Sequence, residues 1–231
     1  MKTQLFHTLQ DLRRRHQPVA VVTNPLSGDQ ALVTADEQQG ALMLGDEALT
    51  RVRQMLGEDV SGSIDGLFVR VYGPPWSMVL IGAVHIAQAL APMAALAGFE
   101  VTVIDPRSAF ATSARFPGVT LIADWPNEAL QRIPPTARTA VISLTHDPKI
   151  DDVGLIEALR SPAFFIGALG STRTHARRKD RLREAGFTDE QLARIAAPVG
   201  LDLGGRLPGE IAVAVIAEAV GVRRGRRRQR P

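Results

Sequence analysis

The sequence contains no cysteine among its 231 residues. This absence excludes disulfide bonds, thiolate metal ligands and cysteine nucleophiles, and it suits a reducing compartment. No stretch reaches the roughly 18 consecutive apolar residues that a membrane-spanning helix needs. The first ten residues also lack the apolar segment of a signal peptide. We therefore expect a cytoplasmic protein that does not contact a membrane.

Aromatic residues are scarce, at 5% of the chain, but hydrophobic residues make up 45% and charged residues 22%. This composition is typical of a globular protein with an ordinary core. The formal net charge is only +3, and much of the positive charge lies at one end. We expect residues 223–231 to form a solvated Arg-rich tail, with docking to an acidic partner as the alternative. The rest of the chain is not predicted to bind nucleic acid.

Residues 1–73 are predicted to form a small α+β domain. The spacing of apolar residues indicates helices over 5–15 and 46–56 and strands over 18–23, 31–34, 41–44 and 67–72. Asp46 is expected to cap the second helix. Gly73 and two prolines follow the last strand and mark the domain boundary.

Residues 74–222 alternate between strand and helix patterns. Continuous apolar runs predict buried strands over 78–81, 101–104, 119–122, 139–144 and 164–166. Helices are predicted between and after them, over 85–97, 151–160, 174–185, 189–195 and 208–220. This alternation predicts an α/β fold, a Rossmann-like parallel sheet with helices on both faces and right-handed connections.

Ligands of open parallel sheets bind outside the carboxyl ends of the strands. Four of the five predicted strands end in residues that suit a ligand, and a later loop adds one carboxylate. These candidate cofactor-binding residues are Gly82, Val84 and His85; Asp105 and Arg107; Thr145, His146 and Asp147; Gly167, Gly170, Ser171 and Arg173; and Asp202.

The segment from Gly82 to Ala87 stands where a dinucleotide-binding fingerprint would lie. Gly82 suits the tight turn, but Val84 occupies the position where glycine normally lets the backbone approach a pyrophosphate. An ordinary strand-to-helix turn is the alternative. Asp105, 23 positions later, could accept hydrogen bonds from a ribose diol or simply form a turn. Arg107 could pair with a phosphate or with Asp105.

Thr145, His146 and Asp147 could take part in proton transfer, bind a metal or cap the following helix. One histidine and one aspartate do not complete a metal site, so no metal ligand is predicted. The loop from Gly167 to Ser171 opens a basic helix, whose N–H groups and dipole favour an anion near Arg173. The alternative is that the arginines of this helix form a solvated face, as some of them must.

Taken together and in order, these segments resemble the XdhC/CoxF family of molybdoenzyme maturation factors. The resemblance covers residues 76–220 and rests on 82–85, 103–107, Phe110, 115–117, 145–147, 166–171, Arg177, Ile195, 198–202, Pro208 and 210–212. It implies a Rossmann-like domain that binds the molybdenum cofactor, as molybdopterin or its cytosine dinucleotide form. It further implies delivery to a molybdenum hydroxylase apo-enzyme such as xanthine dehydrogenase, with a cysteine desulfurase or a cofactor-synthesis enzyme as a further partner.

The sequence departs from the family pattern in two places. Val84 replaces a usual glycine, and residues 1–73 lack the family's Gly-Gly-Cys segment, so a role in sulfur handling is not carried over. No catalytic residue is predicted, since a chaperone needs only to bind and transfer. The alternatives are an NAD(P)-dependent oxidoreductase that uses Asp105 for ribose and His146 as acid/base, and a nucleotide-binding regulatory module. The apolar helix near 211–220 favours a homodimer.

Overall fold

The structure is a computed structural model, and it describes residues 2–226. The chain folds into two compact units, the first ending at Pro75 and the second beginning at Trp76. No helix in the described part of the chain is both long and apolar enough to span a bilayer.

The first unit is a five-stranded antiparallel sheet with one helix on each face. Its elements are α1 (Thr3–Arg14), β1 (Val19–Thr23), β2 (Gln30–Val33), β3 (Gln38–Gly40), α2 (Asp46–Glu58), β4 (Gly62–Ile64) and β5 (Leu67–Tyr72). The strands lie in the order β3-β2-β1-β5-β4. β1 is central and is buried on both faces: Val19 and Val21 pack towards α1, and Ala20 and Val22 towards α2.

Three predictions for this unit were wrong in detail. The strand expected at 41–44 is instead Gln38–Gly40, which pairs with β2, while Leu42 and Leu44 pack on the α2 side of the core. Gly45 occupies the N-cap position of α2, and the Asp46 side chain makes no capping bond. β4 was missed because it is only three residues long and includes a glycine.

The second unit is a six-stranded sheet in which all strand pairs are parallel. Its strands are β6 (Trp76–Ile81), β7 (Phe99–Ile104), β8 (Thr120–Ile122), β9 (Thr139–Ser143), β10 (Phe165–Ala168) and β11 (Ile195–Ala196). Its helices are α3 (His85–Leu96), α4 (Pro126–Arg132), α5 (Pro148–Arg160), α6 (Thr172–Glu184), α7 (Asp189–Leu192) and α8 (Pro208–Arg223). The strand order is β11-β10-β9-β6-β7-β8.

Helices cover both faces of this sheet, which explains the continuous apolar runs of the strands. Met78 and Leu80 of β6 join one core with α3 and α8, whereas Val79 and Ile81 join the other core with α4, α5 and α6. Since successive side chains of a strand point to opposite faces, most positions of such a strand are apolar. The prediction of a Rossmann-like parallel sheet preceded by a small α+β unit is confirmed.

Two elements of the second unit were not predicted. The helix α4 was missed, and the helix expected over 189–195 ends at Leu192, after which Ile195 and Ala196 form the edge strand β11. The tail expected from residue 223 begins later, because Arg223 belongs to α8. Its guanidinium lies 4.6 Å from the Phe99 ring centroid and donates to the Ala97 carbonyl oxygen. Residues 227–231 of the expected tail lie outside the described residues.

Candidate functional site

The chain reverses direction across the second sheet at β6. From β6 it runs outward through β7 and β8, then returns to β9 on the other side of β6. The connections leaving β6 and β9 therefore diverge, which opens a crevice at their carboxyl ends. A cavity of about 660 Å³ lies there. It is lined by Val84, His85, Ile86, Arg107, Leu144, Thr145, His146, Asp147, Pro148, Leu169 and Pro208.

Gly82 allows the two strand ends to approach each other. Its φ of 106° is unfavourable for other residues, and a Cβ there would overlap Cγ2 of Thr145. The turn ends at Val84, the N-cap of α3, whose side chain makes no capping bond. The first N–H groups of α3 have no partner within the helix and carry the positive end of its dipole. These N–H groups could therefore hold an anion, although a valine occupies the expected glycine position.

Asp105 is fully buried at the end of β7. Its carboxylate accepts hydrogen bonds from the backbone N–H of Ala83 at 2.8 Å, the backbone N–H of Arg107 at 2.9 Å, and Nε and Nη2 of Arg107 at 2.9 and 2.8 Å. Burial raises the pKa of Asp105, but these bonds outweigh it and the pKa is lowered overall. With four bonds within the chain, the unexposed side chain of Asp105 positions Arg107 and the Ala83 turn.

Arg107 is held on two sides. Asp105 binds its guanidinium, and the Phe110 ring centroid lies 4.5 Å from its Cζ. The hydrogen bond to Asp105 raises the pKa of Arg107, which keeps it charged. Among residues 2–226, Nη1 has no hydrogen-bond partner, and the side chain lines the cavity. Arg107 can thus donate to a ligand without having to reorient.

Thr145, His146 and Asp147, which follow Leu144 after the end of β9, have separate roles. Thr145 is buried, and its hydroxyl donates to Asp151 Oδ1 and accepts from the backbone N–H of Asp147. Asp147 caps α5, accepting from the backbone N–H of Lys149 at 3.0 Å. His146 is exposed on the cavity wall, as is His85 on α3. Of the alternatives considered for this segment, the structure shows the capping contact.

The residues around the end of β10 lie beyond the cavity lining, with one exception. Gly167 is inside β10, where a Cβ would meet Val199 Cγ2 at 2.5 Å, so it serves packing and not the loop. Gly170 has a φ of 122°, and Ser171 caps α6 by accepting from the Thr174 N–H. Arg173 is exposed in the first turn of α6. Leu169 is the only one of this group that borders the cavity.

Asp202 lies in the loop before α8 and lines a separate cavity of about 190 Å³. Leu169 borders both cavities. Within residues 2–226, no three His, Asp or Glu side chains are grouped as metal ligands. The predicted residues that line the main cavity are therefore Val84, His85, Arg107, Thr145, His146 and Asp147.

Sequence reasoning missed a buried ion pair beside the cavity, between Asp151 of α5 and Arg178 of α6. A solvated face was an alternative for the arginines of this helix, but only 2% of the Arg178 side chain is exposed. Leu182, four residues later, is the other buried residue of α6, so helical spacing places both on one inner face. That spacing was the available signal.

The sequence matches the family described as the XdhC Rossmann domain over residues 78–219. The chain belongs to this family. Its XdhC domain is the second unit of the structure, so the family prediction from sequence is confirmed. The family match covers the strand ends and the cavity described above.

Three curated relatives are each 32% identical to the chain. They are YqeB of Escherichia coli, the molybdenum cofactor insertion chaperone PaoD of Escherichia coli, and a protein of Bacillus subtilis named as a probable subunit of xanthine dehydrogenase. The alignments cover 73%, 66% and 68% of this chain but 31%, 42% and 46% of the relatives. The chain thus spans less than half the length of these relatives.

A crystal structure from Bacillus halodurans, described as a xanthine dehydrogenase, has the same fold. The TM-score is 0.76, with 23% sequence identity, over 97% of this chain and 65% of the other. At this identity the likeness concerns the fold alone.

Proposed function

We propose that this XdhC-family chain is a maturation factor that binds a molybdenum cofactor as cargo and delivers it to a molybdenum hydroxylase apo-enzyme. One observation carries the proposal. In a member of this family, the cavity at the strand reversal brings together Arg107 and the N-terminus of α3. The names of two relatives, one an insertion chaperone and the other part of a xanthine dehydrogenase, support the same role.

The chemistry of the cavity suits a pterin that carries a phosphate. Its volume of about 660 Å³ falls within the range of about 300–1,000 Å³ that is usual for small-molecule sites. Val84, Ile86, Leu144, Leu169 and Pro208 provide apolar walls for a planar ring. The phosphate would be held by Arg107 and by the first N–H groups of α3, as anions are at other helix N-termini.

The cytosine dinucleotide form of the cofactor would add a second phosphate. The N-terminus of α6, with Ser171 as its cap and Arg173 in its first turn, offers donors for this group. We therefore keep Ser171 and Arg173 as binding residues for the longer cargo. His85 and His146 on the cavity wall are proposed to contact the cargo without a covalent step.

Delivery requires no chemical turnover, so no residue is assigned a catalytic role. The NAD(P)-dependent oxidoreductase alternative depended on Asp105 as the ribose ligand. The buried carboxylate already accepts four hydrogen bonds within the chain, which weakens that alternative. A cytoplasmic location, a further partner that makes or sulfurates the cofactor, and a homodimer stay predictions.

Pterin analysis tests the proposal. The chain is expressed in a host that makes molybdopterin, then purified and oxidised, and the fluorescence of the released pterin is measured. We expect pterin to copurify with the wild type, to be depleted by Arg107→Ala, and to be retained by Arg160→Ala, whose arginine is exposed on α5 away from the cavity.

A transfer assay completes the test. The loaded chain is mixed with an apo-hydroxylase, and pterin is followed from one protein to the other after separation. Movement of pterin with a gain of hydroxylase activity supports delivery. Release of NAD(P) in place of pterin would support the oxidoreductase, and release of neither would contradict cofactor binding.

A further inference from the structure

Beneath the cavity lies a buried polar network, formed by Thr145, Asp151 and Arg178. Asp151 Oδ1 accepts the Thr145 hydroxyl at 2.5 Å, and Asp151 Oδ2 lies 3.6 Å from Arg178 Nη2. The same Nη2 donates to the Leu169 carbonyl oxygen at 3.0 Å. The network therefore joins α5 and α6 to two backbone segments that line the cavity.

The network also makes hydrogen bonds to backbone groups of the two segments that line the cavity. The Thr145 hydroxyl accepts from the N–H of Asp147 at 3.1 Å, which places the peptide between His146 and Asp147. Leu169, held through its carbonyl by Arg178, also donates its N–H to the Ser143 carbonyl oxygen at 2.8 Å. Loss of either anchor would free one wall of the cavity.

Burying these two charged groups is unfavourable for the stability of the fold. Burial raises the pKa of Asp151 and lowers that of Arg178, so each charged form is disfavoured by its surroundings. Nε and Nη1 of Arg178 are buried and have no hydrogen-bond partner among the described residues. A buried pair of this kind is often less stabilising than apolar side chains of similar size. A positioning function accounts for a pair that packing alone would not favour.

We propose that Asp151 and Arg178 are positioning residues that hold the two walls of the cargo cavity, Asp151 through Thr145 and Arg178 through the Leu169 carbonyl. They act without touching the cargo. The inference extends the proposed function, on which its pterin readout depends. Its second readout, hydrogen exchange of the cavity walls, does not depend on any cargo.

The variants separate positioning from general stability. Thr145→Val keeps the methyl group beside Gly82 and replaces the hydroxyl with a second methyl group, whereas Thr145→Ser keeps the hydroxyl. Ser143→Ala is the matched control. The Ser143 hydroxyl makes the same kind of buried bond to Asp151 Oδ1, at 2.6 Å, but Ser143 does not line the cavity. Arg178→Met tests the second wall.

The experiment measures three quantities for each variant: the pterin that copurifies, the hydrogen–deuterium exchange of peptides 144–149 and 169–175, and the melting temperature. We expect Thr145→Val to weaken pterin retention by about tenfold, as loss of a hydrogen bond worth ~1.4 kcal/mol would. Exchange should rise in 144–149 for this variant and in 169–175 for Arg178→Met. Thr145→Ser should restore retention, and Ser143→Ala should lower the melting temperature while keeping its pterin.

The opposite pattern would overturn the inference. If Ser143→Ala and Thr145→Val lose pterin in proportion to their loss of melting temperature, the network serves stability alone. Unchanged exchange in both peptides would lead to the same conclusion. If the wild type itself carries no pterin, the proposed function fails, and hydrogen exchange alone decides whether the network positions the cavity walls.

Discussion

Asp105 and Arg107 form a two-point ion pair at the end of β7, with Nε–Oδ1 at 2.9 Å and Nη2–Oδ2 at 2.8 Å. Asp105 is fully buried, whereas 39% of the Arg107 side chain is exposed. The buried Asp105 carboxylate therefore holds the Arg107 guanidinium at the cavity wall. A third bond, from the Ala83 N–H to the same carboxylate, ties this cation to the turn that starts α3.

Replacing Arg107 tests this anchoring. Arg107→Ala leaves a buried carboxylate without its main partner, so we expect the free energy of unfolding to fall by about 1–3 kcal/mol. Urea denaturation measures the loss. Arg107→Lys keeps the charge but cannot make the two-point contact, and should lie between the wild type and alanine. A stability equal to wild type in Arg107→Ala would show that the pair contributes nothing to the fold.

The pair also predicts how stability depends on pH. The pKa of Asp105 is lowered in the folded state, so its contribution is fully present above its ordinary value of 3.8 and is lost as the pH falls through the lower folded value. The wild type should therefore be more stable than Asp105→Asn at neutral pH, and this advantage should shrink only below about pH 4. Urea titrations across that range measure it. An advantage that is independent of pH would contradict the ion pair.

Asp151 predicts the opposite dependence. Because burial raises its pKa above 3.8, the group contributes most below the ordinary value, and that contribution is lost as the pH rises through the folded value. The stability of the wild type relative to Asp151→Asn should therefore improve on acidification. Asp105→Asn and Asp151→Asn serve as controls for each other, because both replace a carboxylate with an amide in the same fold. If stability changed with pH in the same direction for both variants, the opposite pKa shifts of Asp105 and Asp151 would be contradicted.

Gly82 is predicted to tolerate no side chain. Gly82→Ala places a Cβ in overlap with Thr145 Cγ2 at a φ of 106°, so we expect a loss of about 2–5 kcal/mol from overpacking and backbone strain. Thermal and urea unfolding measure this loss. Gly57→Ala is the matched control, because it lies in α2 with nothing within 4 Å and should stabilise the helix by about 0.5–1 kcal/mol. A neutral Gly82→Ala would show that the turn can relax.

Arg173 distinguishes the longer cargo from the shorter one. If it pairs with the second phosphate of a dinucleotide cofactor, Arg173→Ala should weaken retention by about 1–3 kcal/mol. Arg177→Ala, an exposed arginine one helical turn later, is the control and should bind as wild type does. Equilibrium dialysis against the two cofactor forms measures the difference. Equal retention in both variants would remove Arg173 from the site.

Strand ends were the part of the site that could be predicted from sequence. Gly82, Arg107, Thr145 and His146 all come within three residues of the end of an apolar run. Parallel strands bring such residues to one edge of the sheet. Six of the predicted residues line one cavity for this reason. Gly167 was misplaced because a two-residue error in the end of β10 moves a residue from the loop into the strand.

Apart from α4 and β11, the order and type of the elements in the second unit came from the sequence by itself, because apolar periodicity and turn residues are local properties of the chain. Only the tertiary structure decided which polar groups meet. Of the alternatives for Asp105, the structure shows the pair with Arg107, and it places Arg178 in a buried pair with Asp151 that sequence reasoning missed. Both outcomes depend on contacts and burial that arise only when the elements pack. The positions of charged residues in the sequence do not indicate these contacts.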